Sequence, residues 1–219
     1  MIKKLTYLIY WMVQPAEKIR IFYKLATKSS SFLVRSGWIR AYMEKKPLDQ
    51  DGNPLPWNTY GYIDFIKERL PAESHVFEYG AGFSTMFYQN RVARVTSVEH
   101  DKVWYELLKS QLKENVDFGF QELVYGGEYC QAALKKGGKY DLIVVDGRDR
   151  VACMHHAPKA LSENGVIVLD DSFRERYQEG MDYLLAQGFK HLHFAGLKPG
   201  SRDMHRTTIF YKEKNIFQL

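Results

Sequence analysis

The chain runs to 219 residues, 45% hydrophobic and 26% charged, which suits one globular domain with a small appendage. Sixteen glycines and seven prolines exclude collagen-like and low-complexity chains. Only two cysteines, Cys130 and Cys153, occur, without metal-ligand spacing; a disulfide framework is excluded and a reducing, cytoplasmic compartment is expected.

The formal charge of +5 is unevenly spread: residues 1–46 hold ten bases against two acids, net +8, so the other 173 residues sum to −3. Lys3 and Lys4 precede an apolar run to Val13 that is shorter than the roughly 20 residues needed to span a bilayer. No small-residue cleavage site follows, so the segment reads as retained. Ile2, Leu5, Leu8, Ile9 and Met12 recur at helical spacing, and Ile19, Phe22 and Tyr23 continue a stripe after Pro15, which predicts a helical pair. Such an arm could pack on its own domain or on a second copy in a homodimer, contact the inner face of an anionic membrane, or touch RNA. A basic arm on a mildly acidic body differs from a uniformly basic nucleic-acid binder. Pro47 through Trp57, rich in Pro, Gly, Asn and Asp, reads as a loop. It divides a basic helical arm and loop, 1–56, from a body, 57–219.

In the body, Tyr62, Ile63, Phe65, Ile66 and Leu70 form a helix face stopped by Pro71. Strands are predicted at Val76–Tyr79, Val95–Val98, Gln121–Tyr125, Tyr140–Val145 and Gly165–Leu169. Helices over Ser84–Asn90, Val103–Asn115, Cys130–Lys135, Val151–Leu161 and Arg174–Gln187 alternate with them. Leu142–Val145 and Val166–Leu169 lack polar alternation, as parallel strands covered on both faces do. The last two strands, Phe189–Leu197 and Thr207–Glu213, are joined by too short a stretch for a helical crossover and should form an antiparallel hairpin. The expected class is α/β: a doubly wound, mostly parallel seven-stranded sheet closed by that hairpin, with an N-terminal helical extension.

The chemistry collects at strand ends, where open α/β sheets bind ligands. The first strand runs into Glu78-Tyr79-Gly80-Ala81-Gly82-Phe83-Ser84-Thr85. Gly80 and Gly82 permit a tight turn and close backbone approach to a ligand, while Ser84 or Thr85 can cap the next helix. The second strand ends at Glu99-His100-Asp101, and a carboxylate at Glu99, 21 residues after Glu78, can accept hydrogen bonds from ribose hydroxyls. A dinucleotide site would need a third glycine where Thr85 stands, and Glu78 suits a cationic ligand better than a pyrophosphate.

These residues resemble class I S-adenosylmethionine (SAM)-dependent methyltransferases. Glu78-x-Gly80-x-Gly82 is similar to their first motif, Ser97–Asp101 to their ribose-binding strand end and Tyr140–Gly147 to their fourth strand; the likeness spans about residues 57–212. It implies a Rossmann-like fold and SAM as cofactor. The glycine turn would hold the methionine moiety, Glu99 the ribose, and the Gly127-Glu128-Tyr129 segment would flank the adenine. The implied cofactor set is Glu78, Gly80, Gly82, Ser84, Thr85, Glu99, His100, Glu128 and Asp146. Trp57 and Thr59 would belong to a lid, or else the Asn53–Tyr60 stretch merely staples the next helix.

On the acceptor side, the fourth strand ends in Asp146-Gly147-Arg148-Asp149-Arg150 and the fifth in Asp170-Asp171-Ser172. This is similar to the metal-dependent O-methyltransferase branch, in which Asp146, Asp170 and Asp171 would hold Mg²⁺. Arg148 and Arg150 depart from that pattern; they could neutralise Asp146 and Asp171 or grip an acidic or phosphorylated substrate. Asp146, Arg148 and Asp171 are the catalytic candidates, with His155 as a candidate base. No Asn/Asp-Pro-Pro-aromatic run grips a flipped base here, and no Glu pair marks a protein-arginine enzyme. A hydroxyl of a small molecule, sugar or glycan precursor therefore leads. An RNA or protein methyltransferase, an aminopropyltransferase of the same fold, and a non-catalytic SAM-binding or membrane-docked module stay open.

Overall fold

The computed structural model describes residues 2–219, with side chains from Gln14 onward. Ile2, Leu5, Leu8, Ile9 and Met12, the first apolar stripe, lie outside the described side chains. Three helices come first, α1 (Ile2–Thr27), α2 (Phe32–Arg35) and α3 (Trp38–Glu44), followed by α4 (Tyr60–Arg69). The body continues β1 (His75–Tyr79), α5 (Phe83–Tyr88), β2 (Arg94–Glu99), α6 (Lys102–Lys109), β3 (Val116–Phe120), α7 (Ala132–Lys135) and β4 (Tyr140–Val145). It ends with α8 (Arg150–Ala160), β5 (Leu161–Leu169), α9 (Gln178–Ala186), β6 (Lys190–Gly196) and β7 (His205–Tyr211).

The seven strands lie in the order β3-β2-β1-β4-β5-β7-β6. The first five are parallel, and β7 runs antiparallel between β5 and β6. The chain reverses its direction of travel across the sheet between β1 and β4, so a crevice opens beyond their carboxyl ends. Burial explains the unbroken apolar runs. Val76, Leu142, Val144, Val166 and Val168 pack on one face with α4, and Phe77, Tyr79, Ile143, Val145, Ile167 and Leu169 pack on the other with α8 and α9.

Two expectations are corrected. The third strand is Val116–Phe120, paired Val95↔Val116 through Glu99↔Phe120, and not Gln121–Tyr125. As an edge strand it is only part-buried, which muted its apolar signal. The arm does not break at Pro15: α1 runs through it as one helix, since a proline removes a single amide from the ladder. Residues before position 57 pack against the body. Trp38 and Leu55 belong to the core cluster of Tyr62 and Ile63, and Trp38 Nε1 donates to the Ser201 carbonyl at 2.7 Å. A Cβ on Gly200 would meet the Ala41 carbonyl at 2.9 Å, so α3 seats directly on the β6–β7 connection.

Candidate active site

The turn after β1 is shaped by Gly80, whose φ of +89° favours glycine. Next to it, Gly82 N–H donates to Thr85 Oγ1 at 3.0 Å, which closes the turn onto α5. Beneath the turn Glu78 is buried, and neither carboxylate oxygen has a hydrogen-bond partner among the described residues. Burial, which opposes the charged form, pushes its pKa from 4.5 to about 8, with the nearby Asp146 charge adding to the rise. The Ser84 and Thr85 hydroxyls beside it temper the rise without reaching hydrogen-bond geometry.

Glu99 closes the other side of the turn. Its Oε1 accepts from the His100 and Asp101 amides at 2.7 and 2.8 Å, and its Oε2 from Ala81 N–H at 3.1 Å. A carboxylate has about four lone-pair sites, so one direction remains for a ligand hydroxyl. His100 Nδ1 lies 2.8 Å from Glu99 Oε1 but off hydrogen-bond alignment. Trp104, from α6, donates Nε1–H to the Ala81 carbonyl at 2.8 Å.

Above these groups lies a cavity of about 690 Å³, within the usual range for small-ligand sites. Gly80, Gly82, Ser84, Glu99, His100, Trp104, Asp146, Arg148 and Arg150 line it, with Lys45, Lys46 and Trp57 from the N-terminal segment. A second cavity of about 520 Å³ is lined by Trp57, Asp146, Asp170, Asp171, Lys198, Gly200, Ser201 and His205. Trp57 and Asp146 line both, and Trp57 is fixed by donation from Nε1 to the Pro199 carbonyl at 2.9 Å.

The carboxylates of the second cavity are neutralised by cations. Arg150 donates to Gly147 O at 3.0 Å, to Asp146 O at 2.7 Å and to Asp146 Oδ1 at 2.8 Å. Burial and the Asp170 charge push the Asp146 pKa up, with Arg150 and Lys198 pulling against them. Lys198 Nζ contacts Asp170 Oδ2 and lies 2.6 Å from Asp171 Oδ1. Burial alone would depress the ammonium, but Asp170, Asp146 and Asp171 outweigh it and hold its pKa above normal. Asp170 Oδ1 also accepts from Asn58 at 2.8 Å and Thr207 at 2.9 Å. Burial would raise Asp171, yet Lys198, His205 and Arg174 keep its pKa below the usual range.

A divalent metal does not fit this arrangement. The Lys198 ammonium stands where a cation would bridge Asp170 and Asp171, and Arg150 takes Asp146. Among the described residues no cluster of His, Cys, Asp and Glu could hold a metal. The aspartates form an ion-pair network in which Arg150 is an expected member and Arg174 and Lys198 are not, while Arg148, the other arginine expected there, lines the first cavity.

Other sequence candidates fall outside the cavities. His155 pairs with Glu179 at 2.7 Å and stacks on Tyr183 at 4.0 Å, on the outer side of α8, so it is not placed to act as a base. Glu128 is two-thirds exposed and pairs with Lys135 at 2.5 Å. The buried Tyr129 next to it instead approaches the site, its hydroxyl under Gly147. Thr59 is buried and spent on the sheet, its hydroxyl donating to Phe194 O at 3.1 Å. The sequence reading missed Lys198, Ser201 and His205, whose only signal was a polar hairpin connection longer than a tight turn.

No protein-family model matches the sequence, and no curated protein matches it. Solved structures do. A TehB-like SAM-dependent methyltransferase from Corynebacterium glutamicum superposes with TM-score 0.52 at 15% identity, covering 70% of this chain and 88% of its own. A methyltransferase from Pyrococcus furiosus gives 0.50 at 15% identity, covering 90% and 98%. The chain has the class I SAM-dependent methyltransferase fold. Precorrin-6y C5,15-methyltransferase from Geobacter metallireducens shares the fold with TM-score 0.50 at 18% identity, over 69% of this chain and 86% of that one. On the methyltransferase fold, the Gly80–Gly82 turn occupies the end of the first strand, beside the switch point.

Proposed function

We propose that this chain is a SAM-dependent methyltransferase that methylates a hydroxyl of a small molecule or saccharide. The observation that carries the reading is a pair of cavities, over the turn and beside it, that share Asp146 and Trp57. One suits the cofactor and the other an acceptor, and the shared wall is where methyl donor and nucleophile would meet.

The residues fit SAM. Glu78 is a buried carboxylate without a partner, which suits a ligand carrying sulfonium and ammonium charge. Glu99 keeps one acceptor direction for a ribose hydroxyl, and Lys45, Lys46 and Arg148 line the same cavity for the methionine carboxylate. Bound SAM supplies an electrophilic methyl group. The chain's own contribution is alignment: Gly80 lets the ligand approach the backbone, and Trp57, tied to Pro199, walls both chambers. Orientation of this kind is worth about 7–11 kcal/mol. The balanced charges of the second cavity favour an uncharged acceptor over a polyamine, which disfavours aminopropyl transfer.

Calorimetric titration with SAM, repeated with NAD and with Mg²⁺ added or chelated, tests the reading. Saturable binding of SAM alone, indifferent to chelation, supports it; binding of NAD in place of SAM overturns it.

The arm adds a partner to the proposal: an anionic membrane surface. On α1, Ile19, Phe22 and Tyr23 are 69, 60 and 65% exposed. Arg20 and Lys24 are exposed on the same helix and Lys28 just beyond its end, so apolar and basic side chains are both open to an anionic surface. Among the described residues no helix is long and apolar enough to cross a membrane, so α1 would lie along it.

A further inference from the structure

Ser201 Oγ lies 2.8 Å from His205 Nε2, and His205 Nδ1 lies 2.9 Å from Asp171 Oδ1. All three line the second cavity. We propose that Ser201, His205 and Asp171 form a proton relay that deprotonates the acceptor hydroxyl. This rests on the reading of the second cavity as the acceptor chamber, and it narrows the acceptor to a neutral alcohol whose proton must leave as the new bond forms.

The direction of the relay follows from the partners. Lys198 and Arg174 also contact Asp171, which keeps it ionised and acceptor-only. Nδ1 of His205 therefore carries the hydrogen, Nε2 is left with its lone pair, and the Ser201 hydroxyl donates to it. An acceptor O–H then passes its proton to Ser201 Oγ while the Ser201 proton moves to Nε2; the acceptor oxygen keeps the electron pair for bonding. The imidazolium so formed faces Asp171, as in other Ser-His-Asp arrangements.

Each member is held from outside the triad. Asp171 sits just past β5 in the left-handed region, φ +54°, and the adjoining Ser172 N–H donates to the Arg206 carbonyl at 2.9 Å on β7. Phe173 packs edge-on against the His205 ring at 5.7 Å. Trp38 holds the Ser201 carbonyl. A merely structural trio would not need to face a cavity, whereas Ser201 and His205 are both part-exposed in one.

The test needs neither SAM nor a known acceptor, so its failure and that of the methyltransferase reading are separable. A relay of this kind makes Ser201 Oγ nucleophilic. With an alkyl fluorophosphonate, Oγ–P forms, P–F breaks, fluoride departs and the serine proton goes to Nε2. Mass spectrometry of the full chain should place one adduct on Ser201. Ser201→Ala and His205→Gln should abolish it, and Asp171→Asn should slow it at least tenfold. Nitrogen NMR of the wild-type imidazoles gives a second readout that no substitution can confound by unfolding: His205 should be the Nδ1–H tautomer. An unlabelled Ser201 in the folded wild type, labelling that survives His205→Gln, or an Nε2–H tautomer overturns the proposal.

Discussion

Gly80 and Gly147 meet backbone to backbone where β1 and β4 end: a Cβ on Gly80 would lie 2.9 Å from Gly147 Cα. On the far side of Gly147, a Cβ would stand 2.0 Å from the Tyr129 hydroxyl. The crevice floor is thus two glycines thick, with a buried tyrosine beneath. Gly80→Ala must combine this contact with a left-handed φ, and a loss of about 2 kcal/mol or more is expected. Urea denaturation of the variant checks it, and an unchanged midpoint would mean that the floor yields easily.

Glu78 gives the site a pH signature. Its pKa of about 8 in the folded chain stands above the ordinary 4.5, so the folded form keeps a proton that the unfolded form has released. Its effect on stability is therefore nil below about 4.5, and stability falls as pH rises toward about 8, by a few kcal/mol at most. Glu78→Gln should flatten that slope. A cation bound over the turn favours the ionised carboxylate, so SAM binding near neutral pH should release a proton. Titrations in buffers of different ionisation enthalpy report the release; its absence would separate Glu78 from the ligand.

Glu99→Ala removes the acceptor of three backbone amides as well as the expected ribose contact. SAM affinity should weaken by about 1–3 kcal/mol, the scale of polar groups left unpaired. The measurement is a calorimetric isotherm on a variant shown to be folded. Wild-type affinity would remove Glu99 from the cofactor site.

Lys198 neutralises two buried aspartates at once. Lys198→Met should cost about 3–5 kcal/mol, because it leaves the buried Asp170 carboxylate without its ammonium, while Asp171 keeps Arg174 and His205. A chelator added to the wild type should change neither its melting temperature nor its SAM affinity. A stabilising effect of Mg²⁺ on the wild type would instead show that the aspartates prefer a metal to the ammonium.

The full chain should co-sediment with vesicles containing phosphatidylserine and not with phosphatidylcholine alone, and the binding should weaken as salt rises. Phe22→Glu should abolish it while leaving the body folded. Self-association in solution without vesicle binding would assign the same face to a second copy of the chain.

Much of this molecule is written locally. The runs Leu142–Val145 and Val166–Leu169 announce buried parallel strands, and the motifs Glu78–Gly82 and Glu99–Asp101 mark two neighbouring strand ends that line one crevice, because each turn lies within a few residues of its own strand. Edge strand β3 was misplaced because half-burial leaves little periodicity to read. What only the tertiary structure decided is the fate of charges far apart in the chain. Asp170 and Asp171 look like metal ligands until Lys198, 27 residues beyond Asp171, arrives between them. His155 looks like a base until Glu179 claims it, while His205 becomes a candidate only once β7 is laid beside β5. Electrostatic partners are chosen by proximity in space, and a one-dimensional pattern carries no record of which ion reaches which.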